Sequence, residues 1–341
     1  MASHDHWQQT GRAPMTAPLR VGVVGAGGIA SPHLAAWRRL GAKLAIHSTD
    51  GQAPALAARH EATVCRSLDE LLAAADVVDV CTPTFTHDEI VIAAARAGRH
   101  VICEKPLART HAKAAAMIEA CRSAGVALYP GQVVRFYPAY AAAKRAVDEG
   151  GIGTPAVLRF SRRGAGPSRG WFHDVGLSGG IIVDQMIHDI DFARWIAGDV
   201  ERVFARITGG DPEPTTAYAV LTHESGALTH ITGAWGHPRT VFRTSFSLSG
   251  SSGLLVDDST RRPAVTWDLA EPDPQGGGLL PLDAHTESPF LTELREFAGA
   301  LDGGPPTRVG AEDGLAALDI ALAGLESART GRAVSPKEMT E

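Results

Sequence analysis

The sequence predicts an α/β protein. A doubly wound parallel sheet fills the first half, and an α+β region with a large, mainly antiparallel open sheet follows. Two observations predict the first half: short apolar runs alternate with helix-like stretches, and a glycine-rich turn follows the first run at once. One observation predicts the second half: its strand-like runs alternate apolar with polar residues, as antiparallel strands with one covered face do.

Length and composition indicate a globular protein of two domains. A chain of 341 residues with 44% hydrophobic and 21% charged residues can bury a sizeable core. The formal net charge of -6 gives no basis for binding nucleic acid, and no apolar run is long enough to span a bilayer. The four cysteines lack metal-ligand spacing, which predicts buried thiols in a reducing cytoplasm and no metal site.

The first half opens with a candidate dinucleotide-binding turn. A strand-like run over residues 19–25 leads into GAGGIA (residues 25–30), and a helix-like stretch follows. Gly25 permits the tight turn, Gly27 lets the backbone approach a pyrophosphate, and Ala30 keeps helix and strand close. A glycine-rich turn without a ligand is the alternative. The residues assigned to cofactor binding here are Gly25, Gly27, Gly28, Ile29 and Ala30.

Strands and helices then continue to alternate, as a parallel sheet requires. The further predicted strands are residues 43–47, 76–82, 101–103 and 126–129. The predicted helices between them are residues 53–60, 68–74, 86–97 and 110–123.

The end of the second predicted strand bears on the type of cofactor. NAD-selective sites usually carry Asp or Glu there, whereas this chain has Ser48 and Thr49, with Asp50 one residue further on. Hydroxyl groups can hydrogen-bond a 2′-phosphate that an acidic group would repel. Ser48 and Thr49 therefore favour NADP, unless Asp50 folds back onto the ribose, in which case NAD is favoured.

The stretch RHVICEKPL (residues 99–107) has a charged pair where a buried strand is predicted to end. Glu104 and Lys105 follow the apolar run, and Pro106 ends the strand because it has no N–H to donate. Open α/β sheets hold ligands at the carboxyl ends of their strands, so Lys105 is a candidate catalytic residue; the bond to Pro106 can be cis. The alternative is a surface Lys–Glu pair at the start of a loop.

The second half begins with a linking helix over residues 140–148. The predicted strands of its sheet are residues 156–161, 202–208, 217–222, 227–234 and 241–248. A Pro- and Gly-rich loop over residues 271–278 precedes the closing helices, which are residues 288–301 and 311–330.

One predicted helix, residues 178–199, is apolar except for a charged face. Asp184, His188 and Asp191 stand at i, i+4 and i+7, so their side chains share that face. An Asp beside a His raises the pKa of the imidazole and fixes its tautomer, which suits a general acid or base. A charge at the helix N-terminus next to a satisfied histidine is the alternative. We expect no metal here, because further ligands at useful spacing are missing.

In these motifs the chain resembles the glucose–fructose oxidoreductase/inositol dehydrogenase (Gfo/Idh/MocA) family. The resemblance spans residues 19–330 and rests on GAGGIA, TPTFTHDE from Thr82, CEKPL from Cys103, RFYP from Arg135 and SGG…HDIDFARW from Ser178. It implies an NAD(P)-binding Rossmann domain over residues 19–137 and a substrate-binding and oligomerisation domain over residues 138–341. Residues 1–18, which are polar, are expected to form a disordered tail.

The resemblance also implies an activity and roles for single residues. The activity is hydride transfer between NAD or NADP and a sugar, inositol or related polyol. Lys105 matches the family's catalytic lysine, and Asp184 and His188 match the residues that act with it. Asp191 matches a substrate contact. The positions that approach the cofactor are Thr82, Pro83, His87 and Glu104.

We expect His188, oriented by Asp184, to accept the hydroxyl proton, and Lys105 to stabilise the developing alkoxide. Hydroxyl-rich substrates need donors and aromatic faces, and the loop before the helix offers Arg163, Trp171 and His173. Two other functions stay open: an NAD-dependent glycosidase-type enzyme of the same family, and a non-catalytic NAD(P)-binding sensor. We expect a homodimer or homotetramer in the cytoplasm, with no nucleic-acid or membrane partner.

Overall fold

The structure is a computed structural model that describes residues 18–168, 170–210, 213–260 and 287–340. These residues form two compact units: residues up to 136 with residues 287–315, and residues from 137 to 260 with residues from 316 onwards. The predicted tail up to residue 17 and the predicted loop 271–278 lie outside the described residues. Of the helices that are described, none has the length and apolarity needed to cross a bilayer.

The first unit is built on a sheet of six parallel strands. These are β1 (Arg20–Val24), β2 (Lys43–His47), β3 (Thr63–Val64), β4 (Val77–Val80), β5 (His100–Glu104) and β6 (Leu128–Gly131). Their order across the sheet is β3-β2-β1-β4-β5-β6, so β1 and β4 are neighbours at the point where the strand order reverses. Open α/β sheets bind ligands at this switch point, beyond the carboxyl ends of the strands. The predicted doubly wound sheet is confirmed, although the two-residue β3 was not predicted.

Helices flank both sheets of the chain. In chain order they are α1 (Ala30–Arg39), α2 (Ala53–His60), α3 (Leu68–Ala74), α4 (His87–Arg96), α5 (His111–Ser123), α6 (Pro138–Asp148), α7 (Val175–Ser178), α8 (Ile187–Ala197), α9 (Pro289–Leu301) and α10 (Ala311–Thr330). Local signals fix several boundaries. Ser67 and Thr110 cap α3 and α5, because each side-chain oxygen accepts a hydrogen bond from a backbone N–H of the first turn.

The helix α9 packs within the first unit, although it follows most of the second unit in the sequence. Phe297 is fully buried; it stacks on Tyr129 at 4.8 Å between ring centroids and meets Phe136 edge-on at 5.8 Å. The sequence had placed this helix in the second domain. Its apolar stripe finds its partners on β6 and just after it, and these contacts decide its place.

The second unit is built on a mixed sheet of six strands. These are β7 (Pro155–Ala165), β8 (Val200–Gly210), β9 (Glu213–His223), β10 (Leu228–Gly236), β11 (Arg243–Gly250) and β12 (Leu254–Asp258). Their order is β12-β11-β7-β10-β9-β8, and all neighbours are antiparallel except β7 and β10. The predicted mainly antiparallel sheet is confirmed. Three of its strands, β7, β8 and β9, were predicted too short, β10 and β11 were predicted one or two residues out of place, and β12 was not predicted.

The two faces of this second sheet differ in what covers them. On one face α8 inserts Phe192, whose ring lies 6.0 Å from that of Phe160 on β7. The opposite face carries apolar side chains that are exposed in the single chain: Tyr218 at 41%, Leu228 at 39% and Val256 at 57%. We refer to this second surface as the open face.

Candidate active site

The glycine turn lies at the switch point and fits a dinucleotide. Gly25 has a φ of +107°, and a Cβ there would lie 2.6 Å from the carbonyl oxygen of Cys81, so no larger residue is accommodated. A Cβ at Gly28 would meet nothing within 4 Å. Within the described part of the chain, α1 begins without a side-chain cap and with no acidic residue in its first turn. Its N–H groups and its positive dipole end are therefore suited to a pyrophosphate.

The loop after β2 holds a carboxylate among hydroxyl groups. The Ser48 hydroxyl donates a hydrogen bond of 2.7 Å to Asp50, and the backbone N–H of Gln52 donates one of 3.1 Å to the same oxygen. Thr49 is exposed. The sequence favoured NADP unless Asp50 folds back, and the side chain of Asp50 does turn back towards Ser48.

His87 connects the two loops that follow β4 and β5. It is fully buried; its Nε2 lies 2.9 Å from the carbonyl oxygen of Thr82, and its Nδ1 lies 3.0 Å from that of Pro106. Burial lowers the pKa of this imidazole, so the ring is neutral, and its single N–H donates to one of these two carbonyl groups at a time. Thr82 in turn accepts a hydrogen bond of 2.8 Å from Thr86. The ring of His87 therefore orders the ends of the strands instead of being free for direct contact with a cofactor.

Lys105 stands half-buried directly after β5, where the Lys105–Pro106 peptide bond is cis. Its backbone N–H donates a hydrogen bond of 3.1 Å to Oε2 of Glu104. Oε1 of Glu104 lies 3.0 Å from Nε2 of His33. The sequence predicted that Glu104 binds the cofactor, but its carboxylate is buried, and both of its oxygens have partners inside the unit.

The first unit also contains a buried network that the sequence analysis missed. Both carboxylate oxygens of Asp79 lie within 3.1 Å of Nδ1 of His33, and Trp37 donates a hydrogen bond of 2.7 Å to one of them. Burial alone would lower the pKa of His33, but the neighbouring Asp79 raises it well above its usual value. An Asp inside an apolar strand was the available signal, because a buried carboxylate needs a partner.

In the second unit, the predicted charged helix is divided. Residues Ile182–Met186 form a π-helical segment that contains Asp184, whereas His188 and Asp191 belong to α8. A π-helix bonds i to i+5, so each residue advances less around the axis than in an α-helix. The regular 3.6-residue repeat from which the shared face was predicted therefore does not hold through Asp184. Asp184 and His188 are half-buried, and Asp191 is fully buried.

A second feature that the sequence analysis missed fixes α8 to the sheet. Arg162 on β7 and Asp189 on α8 are both buried, and their side chains form two hydrogen bonds of 3.0 and 2.7 Å. The same guanidinium lies 3.4 Å from the hydroxyl of Tyr140. Asp189 directly follows His188 in the sequence, so the ion pair with Arg162 holds the turn of α8 that carries the candidate base.

The three proposed substrate residues before the helix lie in different surroundings. Arg163 belongs to β7, not to a loop, and it is exposed on the open face because Arg162 points towards α8. The structure therefore separates Arg163 from Asp184 and His188 by the thickness of the sheet. Trp171 is half-buried in a single turn of 3₁₀ helix, and His173 is exposed, with its Nε2 2.9 Å from the carbonyl oxygen of Pro167.

Known proteins match both halves of the chain. Residues 19–132 match an oxidoreductase family with an NAD-binding Rossmann fold (GFO_IDH_MocA), and residues 140–256 match the GFO/IDH/MocA C-terminal domain. Myo-inositol 2-dehydrogenase of Thermotoga maritima is 36% identical over 77% of this chain and 80% of its own length. D-apiose dehydrogenase of Paraburkholderia graminis is 31% identical over 93% of this chain and 89% of its own length.

Among solved structures, that of a probable dehydrogenase from Thermotoga maritima superposes with a TM-score of 0.79 at 33% identity. It covers 94% of this chain and 100% of its own. The two family matches together cover more than half of the sequence, and they divide it where the strand pattern changes. The chain therefore belongs to the GFO/IDH/MocA family of oxidoreductases with an NAD-binding Rossmann fold.

Proposed function

We propose that this oxidoreductase transfers a hydride between a nicotinamide cofactor and a carbinol carbon of a sugar, an inositol or a related polyol. The position of Lys105 carries the proposal: it stands at the carboxyl end of β5, in the sheet whose switch point bears the glycine turn. Relatives that share both domains are named as dehydrogenases of an inositol and of a sugar. The lysine, the fold and the relatives all support the same chemistry.

Bound nicotinamide would supply the hydride acceptor, and the chain's own residues would manage the proton. In this scheme Nζ of Lys105 hydrogen-bonds the reacting oxygen and stabilises the alkoxide that forms on it. The imidazole of His188 accepts the hydroxyl proton, and Asp184 holds that imidazole in the required orientation. Asp191, Trp171 and His173 are proposed as contacts to a hydroxyl-rich substrate.

The central experiment follows the absorbance of reduced nicotinamide over a panel of sugars and inositols, with the wild type and with Lys105→Ala. We expect at least one substrate to give turnover, and we expect kcat of Lys105→Ala to fall at least about a hundredfold while cofactor binding persists. Lys113→Ala, which removes an exposed lysine of the same unit, is the matched control. Near-normal turnover in Lys105→Ala contradicts the assignment.

The same panel separates the two other candidate functions. A glycosidase-type enzyme oxidises its substrate only transiently, so it cleaves glycosides without accumulating reduced nicotinamide. A non-catalytic sensor binds the cofactor and turns over none of the compounds. Either result would contradict the proposed dehydrogenase activity and support the corresponding alternative.

We propose NAD as the preferred cofactor. The hydroxyl groups of Ser48 and Thr49 favoured NADP in the sequence, but the carboxylate of Asp50 lies 2.7 Å from the Ser48 hydroxyl. A negative charge there disfavours a 2′-phosphate and can bind a ribose hydroxyl instead.

We also propose that a second copy of the chain covers the open face, giving a homodimer or homotetramer. Tyr218, Leu228 and Val256 of that face are exposed in the single chain, and they alternate along their strands with residues that face the covered side. Light scattering during size-exclusion chromatography tests this proposal, and a monomer at micromolar concentration contradicts it. All four cysteines are free thiols, which fits a protein working in the cytoplasm.

A further inference from the structure

We propose that His33 is a positioning residue for Lys105: its imidazolium holds the carboxylate of Glu104, and Glu104 in turn holds the backbone amide of Lys105. The inference rests on the proposed function, in which Nζ of Lys105 acts on the substrate oxygen. It assigns a task in that reaction to a side chain that is fully buried inside the first unit.

The contacts of His33 determine its protonation state. Nδ1 lies 2.9 Å from a carboxylate oxygen of Asp79, and Nε2 lies 3.0 Å from one of Glu104. A carboxylate oxygen accepts a hydrogen bond, so a ring whose two nitrogens both face carboxylates must carry a proton on each to satisfy both partners. The geometry therefore makes His33 an imidazolium, and its positive charge lies between the two carboxyl groups where water is excluded.

Titratable groups on three neighbouring elements face His33. Asp79 and Cys81 approach from β4 and its end, and Glu104 approaches from β5. Glu293 on α9 is fully buried and interacts electrostatically with His33, Glu104 and Asp79. The contact with Asp79 explains why the imidazole keeps both protons despite its burial.

A metal ion is the competing explanation of this cluster, because His33, Asp79 and Cys81 place their donor atoms within 4.8 Å of one another. The chemistry of the donors argues against it. Without a metal, burial raises the pKa of the Cys81 thiol to about 12, so binding an ion here would first require the loss of that proton. Both nitrogens of His33 are directed at carboxylates of two different residues, which leaves neither lone pair for a metal.

Glu104 connects the buried network to Lys105. Oε2 of Glu104 accepts the N–H of Lys105, so the carboxylate fixes the backbone from which the lysine side chain extends. A Cβ at Gly131 on the neighbouring strand would lie 3.0 Å from Oε1 of Glu104, so the carboxylate occupies a space that a side chain would close. On the other side, His87 binds the carbonyl oxygen of Pro106. Two buried histidines therefore constrain the backbone around Lys105. His33 acts on it through Glu104, and His87 contacts the carbonyl group of Pro106.

Positions of reacting groups matter steeply, since a displacement of about 1 Å can cost about a hundredfold in rate. Loss of the imidazolium leaves Glu104 as a buried carboxylate without a counter-charge, which must reorient or bind a proton. We therefore expect the loss of His33 to lower kcat at least about tenfold and to change the dissociation constant of NADH less than about threefold.

The experiment compares three variants of the full-length enzyme. His33→Gln removes the imidazolium. Glu104→Gln keeps an oxygen that can accept the N–H of Lys105 but can no longer hold a charged His33. Trp37→Phe is the matched control, because it removes a hydrogen bond to Asp79 at the far side of the network. We expect the first two variants to lose turnover with NADH affinity retained, and Trp37→Phe to keep its kcat.

Nuclear magnetic resonance supplies a readout that does not depend on activity. Correlation spectra of the imidazole ¹⁵N nuclei should show two protonated ring nitrogens for His33 at pH 8 in the wild type. In Glu104→Gln they should show one, because a neutral His33 then donates to Asp79 alone. A single protonated nitrogen in the wild type overturns the proposal, as does a stoichiometric metal ion found by elemental analysis.

The outcomes also separate this inference from the proposed function. Normal turnover in Lys105→Ala would remove the catalytic role on which both depend. If Lys105→Ala is inactive while folded His33→Gln keeps kcat within threefold of the wild type, only the positioning role fails. If His33→Gln does not fold, Glu104→Gln decides: a kcat within threefold of the wild type overturns the proposal, and a fall of tenfold or more with NADH binding intact supports it.

Discussion

Glu293 offers the sharpest test of the electrostatics inside the first unit. Its side chain lies on α9 among apolar residues and is fully buried. Among the described residues, neither of its carboxyl oxygens has a hydrogen-bond partner. Burial, together with the nearby Glu104, raises the pKa of this carboxyl group well above its usual value. In the folded protein Glu293 is therefore a neutral acid.

The sign of the effect on stability follows from proton counting. In the unfolded chain the carboxyl group ionises near pH 4.5, whereas in the folded chain it keeps its proton to a much higher pH. Between these two pKa values the folded state binds one more proton, so the free energy of unfolding falls by about 1.4 kcal/mol per pH unit. The loss begins near pH 4.5 and ends where the folded carboxyl group ionises.

Glu293→Gln removes this titration and keeps the shape of the side chain. Below pH 4.5 the variant and the wild type should have nearly equal stability, because both side chains are then neutral. As the pH rises, the variant should gain on the wild type by about 1.4 kcal/mol per pH unit. The raised pKa of His33 acts in the same direction, from about pH 6.5 upwards, but it is present in both proteins and cancels in the difference.

Urea denaturation at pH 5, 6, 7 and 8, followed by circular dichroism and by fluorescence, measures this difference. Coincident curves from the two probes establish that the transition is two-state. Glu89→Gln on α4 is the matched control: it removes an exposed carboxylate of the same unit and should change stability by less than about 1 kcal/mol, without growth with pH. The reasoning is refuted if the difference between Glu293→Gln and the wild type stays constant with pH or favours the wild type.

Two further predictions concern the cofactor and the second sheet. We expect a lower KM for NAD than for NADP, and we expect Asp50→Asn to bring the two KM values closer by relieving repulsion of the 2′-phosphate. Steady-state kinetics with both cofactors checks this expectation. A lower KM for NADP in the wild type contradicts it. We expect Arg162→Met to lower the free energy of unfolding by about 3–5 kcal/mol, because it leaves Asp189 buried without its counter-charge. Arg163→Met, one residue further on, is exposed and should cost less than about 0.5 kcal/mol, so equal losses in the two variants would disprove the argument.

Local sequence signals were sufficient for the first sheet. The strand over residues 43–47 and the helices over residues 53–60 and 68–74 appear in the structure with the predicted bounds. Their boundaries depend on features a few residues apart, such as an apolar run or a capping serine. The glycine turn was equally accessible, because its requirement for Gly25 comes from its own backbone and from the end of the adjacent β4.

Strand ends in the second unit were harder to predict. The run Arg162, Arg163, Gly164 has the composition of a loop, so the predicted strand stopped at residue 161, whereas β7 continues to Ala165. Its pairing with both β10 and β11 keeps these residues extended. The π-helical segment was missed for a related reason: regular spacing of Asp184 and His188 is read from a 3.6-residue repeat, and a change of repeat leaves no mark in composition.

The buried charges could not be paired from the sequence at all, because each pair joins residues far apart in the chain. His33 meets Glu104, 71 residues away, and Arg162 meets Asp189, 27 residues away. What the sequence does show is that a partner is needed: Glu293 shares a helix face with Phe290 and Phe297, and Asp79 stands inside an apolar strand. Asp79 is paired with His33, whereas the carboxyl oxygens of Glu293 have no hydrogen-bond partner among the described residues.

The two buried histidines near Lys105 show why a motif residue can matter without touching a ligand. His33 lies between carboxylates and is charged, whereas His87 lies between backbone carbonyl groups and is neutral. Each holds one side of the loop that carries Lys105, so the same residue type orders the site through opposite protonation states. Substitution of either histidine should therefore lower kcat by a larger factor than it weakens cofactor binding. A residue that binds NAD directly should show the reverse order, and this difference separates the two roles.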